Sequence, residues 1–211
     1  MKKFELTNEF ITNMFGTKLF RIRALVEFGD VEAGELGGYV EKESNLGHDD
    51  NAWVYDNAWV YGNAWVYGDA QVSGDARVYD NAWVYGDARV YGNARVYGNA
   101  RVYGNAWVYG NAWVYGNAWV YGNALVCSDE DYAYAHGFGS VNRTTTFFRL
   151  KDGGVGVRCG CFYGTLAQFR DKIRETHGET KKAQEYLMLA DLMELRFEED
   201  ENEVGNRKYV E

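Results

Sequence analysis

The side chains that could do chemistry in this chain are of three types, and each sits in its own setting. There are three histidines, His48, His136 and His177, and three cysteines, Cys127, Cys159 and Cys161. Cys159 and Cys161 with His177 offer three donors of the kind that hold zinc, but a structural zinc site takes four, and no obvious fourth donor is present. Two cysteines at i and i+2 on a strand read more simply as small core residues. An odd set of thiols, two of them one residue apart, also argues against a disulfide framework. His48, in Gly47-His48-Asp49-Asp50, reads as a solvated loop residue, and His136 beside Gly137 as a turn residue. His177 reads as the end of a helix, where its charge suits the dipole. No catalytic residue, metal ligand or cofactor is assigned.

The arginines suggest recognition instead. Arg77, Arg89, Arg95 and Arg101 occupy one column of a six-residue repeat, and the same column holds Trp53, Trp59, Trp65, Trp83, Trp107, Trp113 and Trp119. Tyrosines such as Tyr91, Tyr97 and Tyr103 stand two residues further on. A guanidinium over an aromatic face is attracted by the ring quadrupole. Trp, Tyr and Arg are also the types enriched at binding hot spots. The candidate binding residues are therefore Arg77, Arg89, Arg95, Arg101, Trp107, Trp113, Trp119, Tyr91, Tyr97 and Tyr103.

The element that must position them runs from Asn51 to Cys127. It consists of thirteen consecutive hexads of the form Asn/Asp-Ala-x-Val-Tyr-Gly, without insertion or slip. A fixed period of this kind is the signature of a solenoid. Ala-x-Val-Tyr is expected to be a short strand whose alternation turns Ala and Val inward and x and Tyr outward. Gly with Asn or Asp then makes the corner, because these types tolerate positive φ. With three hexads to a coil, the array gives about four coils. Residues eighteen apart become vertical neighbours, so Arg89 should lie beside Trp107, Arg95 beside Trp113 and Arg101 beside Trp119. Three Val and three Ala make a thin core for each coil, so ladders of stacked Tyr, Trp and Arg are expected on structural grounds even if nothing binds them.

Around the array, residues 1–50 read as an N-terminal cap, with Leu19–Leu25 as a strand and Leu36–Glu41 as a degenerate beginning of the first coil. A cap is required because an open solenoid end exposes apolar cross-section and unpaired backbone. Residues 128–142 read as an exit segment. Residues 143–197 read as a ββαα unit, in which Thr144–Leu150 and Val155–Phe162 flank the hairpin turn Lys151-Asp152-Gly153-Gly154. Thr165 and Gln168 have capping-box spacing and open a first helix, which Gly178 can end. A second helix, about Lys181 to Phe197, places Ala183, Tyr186, Leu187, Ala190 and Met193 on one stripe. Residues 198–211 form an acidic tail.

Composition limits the functional classes. The chain has 211 residues, with 31 acidic against 22 basic side chains and a formal net charge of −9, which argues against a general binder of DNA or of anionic membranes. No apolar run approaches the roughly 18 residues needed to span a bilayer, and MKKFELTNEF lacks the apolar core of a signal peptide, so a cytoplasmic location is expected. Proline is absent, which suits a structure that needs every ladder donor.

The hexads resemble the hexapeptide-repeat left-handed parallel β-helix, a triangular prism of three hexads per coil. The departure is the tyrosine after the aliphatic position, where that family usually has a small or acidic residue. The C-terminal part resembles a small domain of unknown function that bacteriophages attach to β-solenoid arrays. The residues carrying this likeness are Gly139-Ser140, Arg143-Thr144-Thr145-Thr146-Phe147-Phe148, Cys159-Gly160-Cys161-Phe162, Gly164-Thr165-Leu166, Thr176-His177-Gly178 and Glu185-Tyr186-Leu187. Arg21-Ile22-Arg23-Ala24-Leu25 and Leu36-Gly37-Gly38-Tyr39-Val40-Glu41 resemble the lead-in of the same phage proteins. The resemblance implies a phage or prophage origin and a host-cell cytoplasmic setting, and it brings no biochemical role.

Hexapeptide-repeat folds also house acyltransferases, which by that resemblance use a histidine between coils and a protruding loop. Residues 51–127 contain no histidine and no interruption, so the enzyme reading is disfavoured. The expectation is a non-enzymatic binding or assembly module. Its partner is first another copy of itself, second a host protein, and third a planar anionic, nucleotide-like ligand held between Arg89, Arg95 or Arg101 and a ring, a capacity a phage could use against host defence.

Overall fold

A computed structural model describes residues 2–139, 141 and 143–198. The acidic tail expected over 198–211 lies, beyond Glu198, outside the described residues. Each hexad contributes a strand of two or three residues, and these strands stack into three parallel sheets. The first face carries Trp53, Gln71, Arg89, Trp107 and Leu125 in successive turns. The second carries Trp59, Arg77, Arg95 and Trp113, and the third Trp65, Trp83, Arg101 and Trp119. Every repeat Ala and Val is buried, from Ala52 to Val126. The inward column is therefore a continuous apolar core, as the alternation requires.

The solenoid has about five turns rather than the four counted from the hexads. The difference is made before the array begins: Leu36–Val40 pairs in parallel with Trp59–Val60, and Leu46 bridges Val66. Corner geometry explains the glycine column. Gly68 has φ +71°, and a Cβ there would stand 2.9 Å from the Gly86 amide nitrogen of the next turn. Glycine meets both the left-handed backbone and the close approach without strain. Where aspartate replaces glycine, the carboxylate contributes a bond instead, as when Asp80 Oδ2 accepts from the Gly98 amide at 3.3 Å.

The N-terminal end is closed by an antiparallel extension of the second face. Strands β1 (Phe4–Thr12) and β2 (Lys18–Ala24) continue the sheet from β3 (Leu36–Val40). Polar side chains take up exposed ladder carbonyls: Lys3 Nζ donates to Ala52 O at 2.8 Å, and Asn45 Nδ2 donates to Ala64 O at 2.8 Å. Two expectations are corrected here. Trp53 keeps the outward register of its column but is wholly buried, because the cap covers it with Phe28 at 5.3 Å and Phe4 at 6.2 Å. His48 is likewise no solvated loop residue, since its ring stacks on Phe4 at 4.6 Å and its Nδ1 accepts from the Lys3 amide at 3.2 Å.

The C-terminal part is a four-stranded antiparallel sheet with two helices, in place of the expected ββαα. The expected exit segment contains strand β4 (Tyr132–Phe138), which precedes β5 (Arg143–Arg149), β6 (Val155–Cys159) and β7 (Phe162–Thr165), paired in that order. Both additions were obscured in the sequence by glycines, Gly137 near the end of β4 and Gly164 in β7. His136 accordingly lies on a strand and not in a turn. Helix α1 (Leu166–His177) starts with the Thr165/Gln168 capping box and ends at Gly178. Helix α2 (Lys181–Phe197) buries Ala183, Tyr186, Ala190, Met193 and Phe197 against Phe147, Val157, Phe169 and Ile173. Cys159 is half-buried and accepts from Thr145 Oγ1 at 3.2 Å. Cys161 is exposed, which corrects its reading as a core residue. No helix among the described residues is long and apolar enough to cross a membrane.

Candidate functional site

Register places the candidate residues before any side-chain choice is made. Arg89 pairs with Trp107, Arg95 with Trp113 and Arg101 with Trp119, each across adjacent parallel strands. The guanidiniums lie over the indoles accordingly, with Cζ to ring centroid distances of 5.5 Å for Arg89 on Trp107, 4.5 Å for Arg95 on Trp113 and 4.9 Å for Arg101 on Trp119. Arg101 is also 4.6 Å from Trp83 on its other side, and Arg77 is 4.2 Å from Trp59. Stacking leaves the hydrogen-bonding edge of a guanidinium unused. Among the described residues none of these four arginines makes a side-chain hydrogen bond or ion pair.

Tyrosines run beside each column. On the second face the ring centroids of Tyr61, Tyr79, Tyr97 and Tyr115 follow one another at 5.0, 4.9 and 5.4 Å. Tyr103 stacks on Tyr85 at 4.7 Å on the third face, and Tyr91 on Tyr109 at 5.0 Å on the first. Burial, and then the neighbouring phenols, push Tyr79 and Tyr85 up to about 12.

The ten candidate residues do not form one site. Trp107, Trp113 and Trp119 are a belt in sequence, but each occupies a different face, as do Arg89, Arg95 and Arg101. A flat partner can touch only one column at a time. The second face brings together the most candidates, Arg77, Arg95, Trp113 and Tyr97, and keeps Trp113 and Tyr115 about two-fifths exposed. The other two faces are partly covered by residues that repeat-based reasoning missed. Lys151 Nζ sits 3.9 Å from the Trp107 ring on the first face, and Arg158 Cζ lies 5.6 Å from the Trp119 ring on the third. Lys151 belongs to the hairpin turn and Arg158 to β6, and nothing local to either predicts its distant ring.

A family model described as the YdcK beta solenoid repeat matches residues 52–68, 70–86, 82–96, 88–104, 94–110, 100–116 and 108–122. The chain is similar to that family over these segments, all of them inside the hexad array. No curated protein matches the chain.

Proposed function

We propose that this protein is a non-enzymatic, phage-type binding or assembly module, working in the host cytoplasm. In this reading the prism is a left-handed β-helix, and its second face is the contact surface. The observation that carries the proposal is the strip of arginines stacked on tryptophan with their donor edges free. Cation–π contacts hold Arg77 and Arg95 in place, so little side-chain entropy is left to lose on binding. Each free edge can take a carboxylate in a forked, bidentate bond.

The first partner is another copy of the chain. A protein with net charge −9 carries the acidic complement to such a strip, including the exposed corner carboxylates Asp69, Asp75 and Asp87. An isologous contact would set the strip of one copy against such a corner of the other, twice. A host protein with an acidic surface is the second partner class.

Light scattering tests this reading. The wild type should have a mass that is a whole multiple of 24.0 kDa greater than one, and the double variant Arg77→Gln/Arg95→Gln should be monomeric with its circular dichroism unchanged. An associated double variant, or a monomeric wild type that retains no acidic partner in pull-down, would reject the second face as the interface.

A further inference from the structure

Where the third face meets the terminal sheet there is a cavity of about 480 Å³, with Arg101, Asn117 and Trp119 on the solenoid side and His136, Arg143 and Thr144 on the other. This size is ordinary for a small-molecule site. No carboxylate is among its described lining residues, in a chain where acids outnumber bases.

The donors that converge there are fixed by separate parts of the fold. Arg101 is clamped between Trp83 and Trp119, so its fork can only present its edge. Arg143 is seated over Gly160, where a Cβ would collide with the guanidinium. Among the described residues neither arginine has an ion-pair partner. Asn117 ends a polarised amide ladder: Asn63 donates to Asn81, Asn81 to Asn99 and Asn99 to Asn117, at 3.3, 3.4 and 3.3 Å. The ladder hands its last amide donor to the cavity, with no protein acceptor beyond it among the described residues. His136 Nδ1 and Thr144 Oγ1, 3.0 Å apart, orient each other at the opposite wall.

We infer that this cavity binds a small phosphate ester of about nucleotide size. Two unpaired guanidiniums and an amide donor match the oxygens of a phosphoryl group, which accepts several forked bonds at once. An acidic protein holding two unneutralised arginines at one open cleft has placed its positive potential where an anion can lie. The inference rests on the reading of the arginine–tryptophan stacks as recognition elements, but it concerns the third face, not the second.

Calorimetric titration of the full chain with AMP, inorganic phosphate and adenosine tests it. AMP should bind at one site per chain, phosphate more weakly at the same site, and adenosine not at all. Arg143→Gln should weaken AMP by roughly tenfold or more, the usual worth of a hydrogen bond to a charged group, and Asn117→Asp should abolish binding by placing an anion in the cavity. Both residues lie outside the aromatic stacks, so near-ultraviolet circular dichroism should be unchanged. Absence of AMP binding by the folded wild type, equal binding of adenosine, or an unaffected Arg143→Gln variant would overturn the assignment. The same samples weighed by light scattering keep the two readings separate: lost AMP binding at normal mass counts against the cavity alone.

Discussion

Tyr79 and Tyr97, eighteen residues apart, stack with ring centroids 4.9 Å apart and planes within 1° of parallel. The spacing is that of neighbouring strands, about 4.8 Å, so the backbone ladder dictates the ring ladder. Isolated aromatic pairs prefer offset or edge-to-face arrangements. Here the hydrogen-bonded coil imposes near-parallel stacking along the second face from Tyr61 to Tyr115, and Tyr79 and Tyr97 each serve two neighbours.

Tyr79 has Tyr61 on one side and Tyr97 on the other. Replacing it with alanine should cost about 1–3 kcal/mol, the worth of two ring contacts. Tyr79→Phe keeps both rings and should change stability by less than about 0.5 kcal/mol. Urea denaturation midpoints would check the pair. A phenylalanine variant as unstable as the alanine one would show that the hydroxyl, not the ring, matters.

Alkaline pH should unfold the protein through the same ladder. Below pH 10 the phenols are protonated whether the chain is folded or not. Above it the unfolded chain ionises while Tyr79 and Tyr85, held at about 12, do not. The folded state then binds more protons than the unfolded one, so the stability present below pH 10 is lost as the pH rises through 12. Lys3 acts in the opposite sense. Burial lowers it from 10.5 to about 8, so between those values the unfolded chain holds a proton the folded one releases, and stability rises. Melting temperatures followed from pH 7 to 12 should pass through a maximum and then fall, and Tyr79→Phe/Tyr85→Phe should flatten the fall.

The solenoid was legible because its information is local and repeated. The Ala and Val columns specify an interior, Gly and Asn specify corners, and eighteen-residue register then places Arg95 on Trp113. Helix α1 was legible for the same reason, since Thr165 and Gln168 cap it from within their own turn. What could not be read depends on contacts between distant segments. Trp53 looks like Trp59 in sequence and differs only because Phe4 and Phe28 arrive from the cap. Arg143 shows nothing of Gly160 or Asn117 until the terminal sheet meets the third face.

That difference between Trp53 and its repeats is measurable. Trp53→Ala should cost about 3–5 kcal/mol as a buried aromatic deletion. Trp65, in the same column but 39% exposed and packed mainly on Tyr67 at 4.0 Å, should cost about 1 kcal/mol when replaced by alanine. Chemical denaturation of the two variants decides the matter. Equal losses would mean that the cap does not hold Trp53.

The joint between solenoid and terminal sheet turns on Asp131, which is buried with Arg149. Asp131 Oδ2 accepts from the amides of Cys127 and Ser128, both at 2.9 Å, which ties it to the last turn. Its Oδ1 lies 3.4 Å from Arg149 Nε on β5, and Arg149 Nη2 donates to Phe197 O at the end of α2, at 3.1 Å. One ion pair thus connects the final coil, the sheet and the second helix. Removing the carboxylate strands a buried guanidinium, so Asp131→Ala should cost about 3–5 kcal/mol. Hydrogen exchange should accelerate in residues 143–197 while the interior hexads stay protected, because those coils keep their own ladder. Replacing both partners, as Asp131→Asn with Arg149→Met, should recover part of the loss, since no unpaired charge remains inside. A double variant no more stable than Asp131→Ala would show that the loss does not come from stranding the Arg149 charge.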